Sequence, residues 1–153
     1  AGKRAVREDR VFARATRSAW IHAFIALFGS SAGFVASAFY LARSSVLTTL
    51  DPMQPAWAYK MGIHMAGWHL LLTLTLFPAS VWGQRLGIRA VQVVSLVFFF
   101  IHAGIALANA DMAEPAIAFF NAVSGVFFGL SAVYGQRAHR DMDPIRALHE
   151  ARI

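Results

Sequence analysis

The stretch AWIHAFIALFGSSAGFVASAFYL, residues 19–41, contains no charged residue and no proline. At about 1.5 Å per residue it can cross a hydrocarbon core of about 30 Å, so it reads as a transmembrane helix rather than as the apolar face of a soluble one. A basic segment precedes it, with Lys3, Arg4, Arg7, Arg10, Arg14 and Arg17, and Ala36-Ser37-Ala38 imitates a secretory cleavage site. The spanning length decides for a first span that stays in the chain.

Three further runs have the same character, at about 61–82, 90–110 and 115–134. The expected fold is an all-α membrane protein. Its four transmembrane helices form an antiparallel bundle over residues 19–135, flanked by a basic segment, 1–18, and a basic tail, 136–153. Arg85 and Arg89 lie between the second and third spans, and Arg137, Arg140, Arg146 and Arg152 follow the fourth, which leaves only Arg43 and Lys60 on the opposite side. The positive-inside rule then makes both termini cytoplasmic. Trp20, Trp82 and Tyr134 would mark the cytoplasmic borders and Tyr40, Trp57 and Tyr59 the outer ones. The expected location is a bacterial cytoplasmic membrane.

Composition supports this. A hydrophobic content of 58% in 153 residues exceeds that of a soluble domain, and the mean hydropathy is +0.52. The net charge of +6 sits at the ends and in one loop, which is a topology signal rather than a nucleic-acid surface. Cysteine is absent, so disulfides, thiolate metal sites and cysteine nucleophiles are excluded together. Asp51, Asp111 and Glu114 fall in outer loops, and Glu8, Asp9, Asp141, Asp143 and Glu150 in the tails. No span carries the acid that a proton-coupled carrier or a hydrolase would use. Ser30-Ser31, Ser44-Ser45 and Ser124 stand in no nucleophile context, so an enzyme acting by itself is not expected. The outer loop, about 42–58, with Asp51-Pro52 and Pro55, is the longest connection and the best extramembrane contact surface. Val11, Phe12 and Ala15 share one face before the first span, and Asp143-Pro144 begins a short helix carrying Ile145 and Leu148.

Small residues mark where helices can approach in lipid. Gly29 and Gly33 form one such stripe in the first span, and Gly125 and Gly129, preceded by Asn121, form another in the fourth. Pro78 interrupts the second span, where Thr73, Thr75 or a neighbouring helix would satisfy the freed backbone groups.

Histidine is the informative residue type, because ionisable groups inside a bilayer mark sites. His22 sits near the cytoplasmic border beside Trp20, where an interfacial hydrogen bond suffices. His69 and His102 lie about nine and eight residues, roughly 13 and 12 Å, below the outer surface on antiparallel spans. At matching depth they are candidates for the two axial ligands of a b-type haem or chlorin, with Ala66, Gly67, Ala103, Gly104 and Ala106 leaving room. The plainer alternative is a pair of histidines bonded to hydroxyls or carbonyls. A copper site is a third arrangement: Met61, Met65 and His69 recur every four residues along one face, with His64 adjoining. His64, five residues outward and turned about 140° from His69, should face another neighbour. The string Ile-His-Ala-x-Ile-Ala-Leu occurs at 21–27 and again at 101–107, an echo that an alanine- and leucine-rich background can produce by chance.

The function these features favour is a small accessory subunit of a larger membrane complex, of electron-transfer or photosynthetic type, structural or holding a tetrapyrrole or quinone. Its partners would be other membrane subunits or copies of itself. The alternatives are a homo-oligomeric transporter or channel, associating through the Gly29 and Gly125 faces, and a membrane enzyme with a His-ligated metal near the outer side.

Overall fold

Nothing between Gly2 and Leu50 breaks a helix: the stretch holds no proline, and its glycines are isolated within alanine-rich sequence. The computed structural model, which describes residues 2–50, 56–112 and 114–150, accordingly runs this whole segment as one helix. In order, the elements are α1 (Gly2–Leu50), α2 (Ala56–Trp82), α3 (Gln84–Asp111), α4 (Pro115–Asp141) and the short α5 (Asp143–Glu150). No strand occurs among the described residues. Four stretches are long and apolar enough to cross a membrane: Val6–Arg43, Ala58–Trp82, Gln84–Asp111 and Pro115–Ile145. The chain has the make-up of a four-helix integral membrane protein.

The helices outrun the limits expected from hydropathy, because hydropathy marks apolar residues whereas a helix ends only at a breaker. The segment 1–18 is helical from Gly2, the connection between the first two spans is helical as far as Leu50 and again from Ala56, and α3 begins at Gln84. Asp51-Pro52, Met53 and Pro55 lie outside the described residues. Between α2 and α3 only Gly83 intervenes, and Gln84 takes the left-handed backbone conformation, φ 52°, that turns the chain. Pro115 starts α4, where its missing N–H goes unnoticed.

Small residues set the packing. α1 lies closely along α2 and α4, and α3 along α4, while α2 and α3 touch much less. Gly29 backs onto Phe128, Gly62 onto Leu41 and Gly129 onto Phe99. The central core is Ala26, Leu72, Leu76, Val91 and Phe128. A second cluster, Ala36, Tyr40, Met65 and Ile117, lies toward one end, and Ala19, Ile88 and Ala138 toward the other. Leu70, Leu71 and Leu74 of α2 and Val93, Leu96, Val97 and Phe100 of α3 point outward, as suits surfaces meeting lipid or another subunit.

Polar clamps close both ends. At one, Ser18 donates to Asp141, and Arg85 donates to His139 Nε2 at 3.1 Å while pairing with Asp143 at 3.0 Å. At the other, Arg43 pairs with Glu114 at 2.8 Å. Tyr40, expected at the interface, is instead buried and accepts a 2.6 Å hydrogen bond from Asn109 Nδ2. Trp20, Trp82 and Tyr59 are exposed. Inside α2, Thr75 donates to Leu71 O at 2.7 Å and Thr73 pairs with Ser30 at 2.7 Å. Neither threonine serves Leu74 O, the carbonyl that Pro78 leaves without its helical donor.

Candidate functional site

The sparse packing of α2 against α3 leaves a cleft of about 450 Å³, with Met61, Met65 and Trp68 on one wall and Phe98, Ile101 and Ile105 on the other. His69 and His102 close its inner side. A shallower hollow of about 610 Å³, reaching Lys60, Asn109 and Met112, shares Met61, His64 and Ile105 with it.

The two histidines are brought together, as their matching depth suggests. They are 2% and 1% exposed, so each polar atom needs a partner. His69 Nδ1 donates to Met65 O, one turn back on its own helix, at 2.6 Å. His102 Nδ1 donates to Asn121 Oδ1 of α4 at 2.8 Å, and Asn121 Nδ2 donates in turn to Ile117 O at 2.8 Å. The remaining ring nitrogens, Nε2 of His69 and Nε2 of His102, lie 3.0 Å apart. Phe128 stacks on His102 with ring centroids 5.7 Å apart, and Phe98 stands edge-on to His69 at 6.2 Å.

Gly33 of α1 is the enabling residue. A Cβ built there would run into the His69 ring, so only glycine lets the imidazole lie against α1. Ser30, one turn earlier, donates to His69 O at 2.7 Å. Gly125 lies opposite the His102 backbone, with room for a methyl group at 3.5 Å from His102 Cβ.

This spacing differs from that of two axial ligands. Two imidazoles binding one haem iron from opposite faces hold their Nε2 atoms about 4 Å apart, twice a metal–nitrogen bond of about 2 Å. At 3.0 Å, with Gly33 and Phe128 pressed against the rings, no macrocycle fits between them. Two adjacent ligands of a single metal ion at the tetrahedral angle are only about 3.3 Å apart, close to the observed spacing. The residues of the copper arrangement, Met61, His64, Met65 and His69, all line the cleft. His69 Nε2, however, is turned to His102, and His64 is exposed with Nδ1 donating to Lys60 O at 2.7 Å. His64 therefore shares the cleft wall instead of facing a different neighbour. No group of three or more His, Asp and Glu able to hold a metal occurs among the described residues.

His22 carries more than an interfacial bond. It is fully buried, 3.0 Å from Ser80 Oγ, and its Nε2 has no partner among the described residues. Its depth in the bundle follows from α1 continuing past the expected start of the span. Asn121, noted in the sequence only as a neighbour of the glycine stripe, orients His102. An asparagine inside an apolar span was the available signal, since it must find partners there.

No known protein family, curated protein or solved structure matches this chain.

Proposed function

We propose that the chain is a small integral-membrane subunit of a larger electron-transfer assembly, and that its α2–α3 cleft holds a quinone-class molecule. The observation that carries this is the cleft of about 450 Å³ ending on the only facing pair of buried imidazoles among the described residues. That volume suits a flat, small ligand, and the walls are aromatic, aliphatic and thioether groups with few polar ones, as in sites for apolar molecules. The outward apolar faces of α2 and α3 suit contact with further membrane subunits.

The bundle is read as antiparallel, with both termini cytoplasmic in a bacterial inner membrane. The pairings support the first point: Ala19 and His22 meet Ser80, Ser30 meets Thr73, and Leu41 meets Gly62, so rising positions on α1 meet falling ones on α2. The arginine distribution supports the second.

The test is purification in mild detergent, followed by solvent extraction and identification of bound isoprenoids. A quinone retained close to one per chain, and depleted in Ile101→Trp, which narrows the cleft, is the expected result. A lipid content no different from that of an unrelated membrane protein, in a stable colourless homo-oligomer, would instead favour transport.

A further inference from the structure

The hydrogen bonds on the far sides of the two imidazoles fix where their protons are. Met65 O is a carbonyl and can only accept, so His69 carries its hydrogen on Nδ1. Asn121 must give its Nδ2 hydrogens to the Ile117 carbonyl, which turns Oδ1, an acceptor, toward His102. His102 therefore carries its hydrogen on Nδ1 as well. A neutral imidazole has one N–H. Both Nε2 atoms are then bare, and they face one another at 3.0 Å with no donor between them.

Two bare nitrogens converging, each backed by a ring N–H that donates to a carbonyl or amide oxygen, is the pattern of paired metal ligands with their tautomers set from behind. We propose that Nε2 of His69 and Nε2 of His102 bind one copper(I) ion, with the Met65 thioether as the third ligand. The ligand chemistry selects the ion. No carboxylate or thiolate lines the cleft among the described residues to neutralise a divalent metal, whereas neutral imidazole and thioether suit a soft monovalent one. Met65 is 6% exposed and lines the same cleft as the pair, and Met61 and His64 line the way in.

A single proton shared by the two rings would also satisfy the lone pairs. It would place a charge among Ser30 and Gly33 of α1, Thr73 of α2, Phe98 of α3 and Asn121 and Phe128 of α4, none of them anionic. Imidazole holds a proton only weakly at neutral pH, so it has little with which to offset that desolvation, while metal ligation is much stronger. The inference goes beyond the quinone reading and stands without it.

The experiment uses the full chain in lipid nanodiscs, loaded with copper(I) as its acetonitrile complex under reducing, anaerobic conditions and then desalted. We expect one copper per chain and an X-ray absorption edge and fine structure showing nitrogen and sulfur neighbours. His69→Leu and His102→Leu should abolish retention. Asn121→Leu, which keeps both ligands but frees the His102 tautomer, should weaken binding about 10- to 100-fold. His22→Leu should bind normally. Because a ligand variant can misfold, nitrogen NMR of the imidazoles in the wild-type chain provides a second readout, with both Nε2 signals moving on copper addition. Folded wild-type protein that retains no copper, equal retention by the ligand variants, or an excess proton shared between the rings at neutral pH would each overturn the proposal. Quinone is measured on the same sample. Quinone without copper refutes the metal site alone, and copper without quinone refutes the cleft reading alone.

Discussion

Gly33, Gly29 and Gly125 look alike in sequence but differ in what a methyl group would meet. At Gly33 it enters the His69 ring, at Gly29 it presses on Phe128 at 3.2 Å, and at Gly125 it finds ordinary contact at 3.5 Å. Alanine substitutions should therefore destabilise in the order Gly33, Gly29, Gly125, with the first near the 1–3 kcal/mol typical of an overpacked core and the last close to neutral. Thermal unfolding in detergent measures this series, and equal losses at all three positions would refute the contacts. The pairing of His69 with His102 was legible from counting residues inward from each border. The direct contact was not, because whether two level imidazoles sandwich a macrocycle or touch depends on the neighbouring helix, here on one missing Cβ at Gly33. Both histidines of the repeated Ile-His-Ala-x-Ile-Ala-Leu string are buried and bonded to another helix, His22 to Ser80 and His102 to Asn121.

Among the elements, the junction of α2 and α3 is the most constrained. Gly83 and Gly87 crowd the Ala79 carbonyl so closely that neither has space for a side chain, and Gln84 alone supplies the positive φ. A non-glycine residue there costs about 1–2 kcal/mol, of which glycine would recover most. Gln84→Gly should raise stability by about 1 kcal/mol, seen as a higher midpoint in denaturant titration in mixed micelles; a lower midpoint would show that the Gln84 side chain outweighs the strain. The number and order of the helices were readable from apolar run length. Their ends were not, since Ala42, Arg43 and the residues up to Leu50 are polar enough to resemble a loop yet include nothing that stops a helix.

At the scale of the molecule, topology is the property most open to a direct check, because the chain has no cysteine of its own. Single cysteines at the exposed positions Gln84 and Arg140 should react with a membrane-impermeant thiol reagent only from the cytoplasmic side, and one at Met112 only from outside. Reaction of the first two from outside would invert the protein. Neighbouring Ala138 is fully buried and would report nothing. The length of α1 bears on how such a bundle can move. Its 49 residues make a rod of about 74 Å, whereas α2, α3 and α4, at 27, 28 and 27 residues, are each about 40 Å, close to the full thickness of a bilayer. Ser18 meets Asp141 and Leu41 meets Gly62, so most of the unmatched length lies before Arg17, a stretch of roughly 22 Å. A rod gripped over part of its length amplifies angle into distance: a rocking of about 10° within the bundle would sweep the far end of that stretch through about 4 Å. Anything attached to that stretch would feel a small rearrangement of the bundle as a displacement, and a force applied to it would return to the helices as torque.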